Sequence, residues 1–243
     1  MRRGLQTLHD RSLEVFTRSA GSHRGILKAG NLTFPCALGR TGWRASKREG
    51  DGATPMGRWR LERVLYRPDR LQHPRTGLPM RALGPADGWC DAIGDRNYNR
   101  PVRHPYPASA EQLWRQDGLY DVVVVLACNT RPRVRGRGSA IFMHVATPTY
   151  TPTQGCIALA RPHLLRLLER IGRRASVVVG PPQQKRPKLT LRALRARHSW
   201  RAQEAAKARW SAGLAAGNLS VVVGPLAVID EVEAFALLIG ART

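Results

Sequence analysis

The chain has 243 residues, 42% of them apolar, with 40 Lys plus Arg against 17 Asp plus Glu and a formal net charge of +23. That apolar content supports one medium-sized folded domain with an appendage and excludes disorder throughout, and the absence of any three-residue or solenoid period excludes collagen-like and repeat architectures. The longest apolar run, Val122–Cys128, is far shorter than the roughly 20 residues of a membrane-spanning helix, while the charge predicts attraction to a polyanion without choosing among nucleic acid, anionic lipid and acidic cell-wall polymer.

The opening residues carry His9, Asp10, Arg11, Glu14 and Arg18 where a secretory signal needs an unbroken apolar core, so no signal peptide is expected there. Short runs rich in β-branched residues then read as strands: Leu13–Thr17, Gly25–Lys28 and Arg58–Val64. Tyr66–Tyr106 is dense in Pro, Gly, Asp and Asn and reads as extended loops laid over a sheet scaffold, a length that usually carries function. Ala108–Gln116, with Ser109 as cap and Glu111 in its first turn, reads as a helix. Strands follow at Leu119–Ala127, Ser139–Ala146 and Cys156–Ala160. A helix is predicted over Pro162–Arg173, with Pro162 at a tolerated first position and Leu164, Leu165, Leu167, Leu168 and Ile171 as its apolar face. Ala175–Gly180 is the last strand before a linker, Gly180–Lys188. Beyond it, Leu189–Ala216 has helix propensity, Ser220–Gly224 reads as a strand and Pro225–Ile239 as a helix. The fold expected is mainly β with a few helices and mixed sheets. It divides into an N-terminal segment 1–19, a catalytic domain 20–184 and a basic, helical C-terminal extension 185–243. Both larger parts are basic, with 30 cationic against 13 acidic residues in 1–184 and 10 against 4 in 185–243.

The four cysteines, Cys36, Cys90, Cys128 and Cys156, are too far apart in sequence for a zinc knuckle or a dense disulfide framework, so no metal and no cofactor is expected. Cys156 differs from the others in following a Gly turn, Thr153-Gln-Gly-Cys156, with His144 one connection earlier on a strand. Two adjacent strand ends would bring imidazole and thiol together for nucleophilic catalysis, and Gly155 would let its own amide and that of Cys156 face a developing oxyanion. The alternative reading of either residue is a small buried core group. Cys36, Cys90 and Cys128 are assigned to structure.

Five segments in order, Gly50-Asp-Gly-Ala-Thr-Pro-Met-Gly57, Gly88-Trp-Cys-Asp91, Asn97-Tyr-Asn99, Gly138-Ser-Ala-Ile-Phe-Met-His144 and Thr153-Gln-Gly-Cys-Ile-Ala-Leu159, resemble the L,D-transpeptidase catalytic domain (YkuD-like) family, in a branch with a Thr-x-Gly-Cys motif. The resemblance implies a β-sandwich with mixed sheets, Cys156 as nucleophile, His144 as base, and the Val145 carbonyl orienting the imidazole. It also implies acyl transfer on peptidoglycan stem peptides through a thioester, opening of carbapenem β-lactams by the same thiol, and action in the cell envelope or periplasm. Thr153, Gln154 and Ser139 beside the pair, and Asp91, Tyr98 and Asn99 in the long loops, are its implied substrate contacts. For Asp91 and Asn99 local turn chemistry is the alternative. The commoner family motif has a second His where Gln154 stands and an Arg where Ala158 stands. Arg161, Arg135 and Arg137 are then the charge candidates for a substrate carboxylate, and hydrolysis as an L,D-carboxypeptidase is as open as cross-linking. A nucleic-acid-binding protein is the competing reading of the charge. The cationic residues are spread along the chain without a finger, RNP or helix-turn-helix pattern, which favours peptidoglycan as the polyanionic partner.

Overall fold

The computed structural model describes residues 12–181. The start of the N-terminal segment, the boundary at 184 and the linker, helices and strand expected beyond residue 181 lie outside them. Within them strands dominate and one α-helix occurs, in mixed sheets. β1 (Leu13–Phe16) precedes a hairpin of β2 (Arg24–Ala29) and β3 (Leu32–Ala37), which turns through Gly30 at φ +61° and Asn31, the short turn that suits strand twist. β4 (Trp43–Arg44) and β5 (Thr54–Pro55) form a small parallel pair that leads into the ten-residue β6 (Gly57–Tyr66). The stretch expected to be loop throughout carries β7 (Met80–Ala82), β8 (Asp87–Cys90) and β9 (Pro101–Arg103).

The helix expected over Ala108–Gln116 does not form. Ala110–Gln112 is strand β10, paired antiparallel with β8 through Ala110↔Cys90, Glu111↔Trp89 and Gln112↔Gly88. Tertiary pairing overrides local helix preference here, because Leu113 is fully buried and its amide donates to Asp87 O at 2.9 Å. The remaining elements are β11 (Val122–Leu126), β12 (Phe142–Val145), β13 (Ile157–Leu159), α1 (Arg161–Leu168) and β14 (Ser176–Val179). α1 is shorter than its apolar stripe suggested. Leu164, Leu167 and Leu168 are buried, but Ile171 O accepts from the Gly77 amide at 3.2 Å, which turns the chain toward β14.

Nine strands join in the order β11-β12-β13-β3-β2-β1-β14-β6-β7, and β6 also pairs with β11, so the two layers of the sandwich run into each other as a ring. β1–β14, β12–β13 and β6–β7 are parallel and the other pairings antiparallel. β1, although it lies within the segment 1–19, is a member of the ring. The β6–β11 ladder steps from Val125↔Arg63 to Leu126↔Leu61, leaving Glu62 as an extra residue. This bulge lets Leu61 and Val64, three apart, face the same core. Pro35 in β3 is tolerated because β13 reaches β3 only at Ala37, so no ladder partner is denied an N–H.

β11 is buried on both faces. Val122, Val124 and Leu126 join the main core with α1, whereas Val123 and Val125 point into a second cluster with Phe142, Trp89 and Tyr120, covered by the small sheet β10-β8-β9. We expect Leu167→Ala, which empties a fully buried position between α1 and the sheet, to lower unfolding free energy by about 2–5 kcal/mol in urea titration.

Candidate active site

Strand alternation decides which residues share the second face. On β12, Met143 enters the main core and Phe142 and His144 turn the other way; around β13, Ile157 and Leu159 enter the main core and Cys156 and Ala158 turn away from it. The parallel register sets His144 opposite Ala158. Cys156 and His144 are therefore diagonal neighbours on one face, and both line a cavity of about 430 Å³.

The Thr153 hydroxyl bonds on both sides of Gly155 in the turn before Cys156. Thr153 Oγ1 accepts from the Gly155 amide at 3.1 Å and donates to Cys156 O at 2.7 Å. Gly155 sits at φ +133°, and a Cβ there would meet Ala53 O at 2.7 Å, so only glycine fits. The thiol is anchored from the other side: Sγ accepts from the Phe142 amide at 3.4 Å and donates to Ala140 O at 3.3 Å. Ala140 takes the left-handed conformation at φ +51°, unfavourable for a side-chain residue. Asn99 holds it there. Its Oδ1 accepts from Ala140 N at 3.2 Å and from Trp89 Nε1 at 2.9 Å, while its Nδ2 donates to Cys128 O and Asn129 O.

His144 Nδ1 lies 2.8 Å from Val145 O, which as a pure acceptor assigns the proton to Nδ1 and leaves the Nε2 lone pair available. Tyr120 packs edge-on to the imidazole at 5.2 Å and hydrogen-bonds through its hydroxyl to Glu111. Burial pulls the His144 pKa down from 6.5 to about 4, partly countered by Val145 O. Burial also pushes the Cys156 thiol up to about 12, with the charge of Glu111 acting in the same direction and the Phe142 amide against it. At neutral pH the pair is therefore thiol plus imidazole, not thiolate plus imidazolium.

A family model described as the L,D-transpeptidase catalytic domain (YkuD) matches residues 22–179. The chain belongs to the L,D-transpeptidase catalytic domain family. Its members are acyltransferases that act on peptidoglycan. No curated protein and no solved structure is matched by the chain.

Of the residues singled out from the sequence of this L,D-transpeptidase domain, Asp91, Ser139, His144, Thr153, Gln154 and Cys156 line the cavity. Tyr98 and Asn99 do not. They are buried and brace its rim, Tyr98 by bonding Glu49 and accepting from the Gly138 amide at 3.1 Å, Asn99 by fixing Ala140. The Gly155 amide is engaged by Thr153 and does not face the cavity as an unpaired donor. Gln154 Oε1 accepts from Arg40. Arg135, Arg137 and Arg161 are not in the lining, and Arg161 pairs with Asp121 instead. Sequence reasoning did not single out Glu49, Tyr120 and Arg115 and placed Glu111 only in the first turn of an expected helix, yet all four line the cavity. Cys36, Cys90 and Cys128 are buried free thiols. Among the described residues no cluster of His, Cys, Asp or Glu could hold a metal ion, and no helix is long and apolar enough to cross a membrane.

Two measurements check the electrostatics. The rate of Cys156 alkylation by iodoacetamide should climb about tenfold per pH unit up to at least pH 9, since the reagent attacks only thiolate; an inflection between pH 4 and 7 would contradict the neutral pair. His144, held neutral in the fold but titrating near 6.5 when unfolded, contributes stability that is complete above pH 6.5 and lost as pH falls toward 4, by up to about 3 kcal/mol. Urea midpoints of His144→Gln should accordingly fall less between pH 7 and 4.5 than those of the unsubstituted protein.

Proposed function

We propose that Cys156 is the nucleophile and His144 the general base of an acyl transfer on peptidoglycan stem peptides, in the cell envelope. The observation that carries this reading is the pair itself: one thiol and one imidazole on the same face of the same cavity, the imidazole protonated at Nδ1 against Val145 O and open at Nε2. As Sγ attacks the carbonyl at the L-configured end of an L,D peptide bond, its proton passes to Nε2. The transfer accompanies S–C bond formation because the separated ion pair is disfavoured in the buried site. The oxyanion takes the Cys156 backbone amide as donor, Gly155's being engaged. Collapse breaks the C–N bond, the imidazolium protonates the leaving amine of the terminal D-residue, and a thioester remains. An acceptor amine then attacks the thioester, gives its proton to His144, and releases the thiol.

Mass spectrometry of the protein incubated with a disaccharide-tetrapeptide tests the assignment. Cys156→Ala, Cys156→Ser and His144→Ala should each reduce acyl-enzyme formation by at least about a thousandfold. Cys36→Ala, Cys90→Ala and Cys128→Ala should retain it. A carbapenem should add its mass to the peptide containing Cys156; an adduct on another cysteine, or full activity in Cys156→Ala, would overturn the mechanism.

A further inference from the structure

Spread along the sequence, the arginines gather in space. A groove of about 310 Å³ opens between two edge strands, β7 and β9, with Arg63 of β6, Arg81 of β7 and Arg103 of β9 in its walls and the buried Leu65 and Trp89 in its lining. It shares no lining residue with the cavity that holds Cys156 and His144. Glu62, next to Arg63, joins this groove to further arginines. Its carboxylate lies 3.9 Å from Arg60 and 4.0 Å from Arg63 and accepts from Thr130 Oγ1 at 3.4 Å, at the start of the loop that carries Arg131 and Arg133. Burial and then the charges of Arg100 and Arg131 lower the Arg133 pKa, with Glu62 acting against them, so these groups share one electrostatic neighbourhood.

All of these guanidiniums are exposed, and most lack a counter-charge. Arg81 Nη1 donates to Asp87 Oδ2 at 2.9 Å, and Arg60 and Arg63 share Glu62 at the limit of ion-pair distance. Arg100, Arg103, Arg131 and Arg133 form no ion pair among the described residues. An anion laid on this face removes their mutual repulsion. The loop is also fixed in advance. Asn129 Oδ1 accepts from the Val134 amide at 2.8 Å, and its Nδ2 donates to Val134 O and Gly138 O at 2.9 Å, so a ligand spends little on ordering it.

The neighbouring groups choose among polyanions. Single-stranded nucleic acid needs aromatic platforms for its bases, and no aromatic side chain is exposed among the described residues. A membrane surface needs an apolar face to enter it, and Val134 is the one large apolar side chain exposed on this loop. Carboxylates need neither, because the guanidinium fork meets a carboxylate through two parallel hydrogen bonds. We propose that the groove and the adjoining arginines bind carboxylates of peptidoglycan, so that the polymer is gripped on this face while one of its stem peptides reacts in the separate cavity. This rests on the acyl-transfer reading above, which supplies the polymer.

Co-sedimentation of the full chain with purified sacculi tests the face, using sacculi untreated or with carboxyl groups converted to primary amides by carbodiimide and ammonia. The triple substitution Arg63→Gln, Arg103→Gln and Arg133→Gln should weaken binding to untreated sacculi about tenfold. A matched triple of exposed residues on other elements, Arg18→Gln, Lys28→Gln and Arg166→Gln, should weaken it less than about twofold. Amidation should cost the matched triple more than the face triple, and both differences should shrink as salt rises. Urea midpoints check that each triple is folded; where one is not, Arg103→Gln and Lys28→Gln carry the same comparison. Equal loss from the two triples, or equal binding to untreated and amidated sacculi, overturns the proposal. So does a face triple that loses duplex DNA or phosphatidylglycerol vesicles but keeps sacculi. Acylation of Cys156 in the unsubstituted protein by a disaccharide-tetrapeptide is scored separately. Acylation without a face effect removes the face and keeps the transferase reading, and a face effect without acylation does the reverse.

Discussion

Burial of strands on both faces is the constraint from which the rest follows. β11 and β12 have an apolar core on one side and a second covered face on the other, so each alternate residue on that second face must be apolar or fully provided with partners. His144 meets this by donating from Nδ1 to the carbonyl of its own neighbour, Val145, and by packing on Tyr120. Cys156 meets it through Ala140 O and the Phe142 amide. The dryness that obliges these bonds also sets the protonation states, since burial is the largest cause of both shifts. The thiol and the imidazole are held neutral by the same packing that makes the sheet stable.

The side chains that position the pair do so through backbone rather than by touching it. Thr153 closes the turn ahead of Cys156, and Asn99 holds Ala140 in a left-handed conformation so that its carbonyl faces the thiol. Both act at short range on conformations that few residues adopt unaided. Threonine, glycine and cysteine at their observed spacing are thus one mechanical unit, with the hydroxyl bonding on both sides of the glycine.

Much of this was legible in the chain. Runs such as Val122–Leu126 and Ser176–Val179 announce buried strands because β-branched residues without interruption have few other uses. Cys156 and His144 stood out because a Gly turn and one connection separate them, both local signals. What was not legible depends on partners far away in sequence. β3 was hidden by Pro35, acceptable only where a ladder is absent; β10 read as a helix until β8 lay beside it. Glu49, Glu111 and Tyr120 converge from three segments with no common spacing. Asn99 is a turn residue by φ and a four-bond bracket by contact, and sequence announces only the first.

The two signs of charge act at different ranges. The excess of Lys and Arg over the chain is a long-range attraction to a polyanion, screened beyond about 10 Å at moderate salt, and it carries no information about chemistry. The carboxylates of the cavity act over a few ångströms and in a drier place, where a charge counts for more. Burial is the main cause that raises the pKa of the Cys156 thiol, and the charge of Glu111 in the same cavity adds to it, so both oppose thiolate formation. On the proposed reading, proton transfer from Sγ to His144 within S–C bond formation avoids the separated ion pair that burial and Glu111 both disfavour, so the thiol reacts without first standing as a free thiolate.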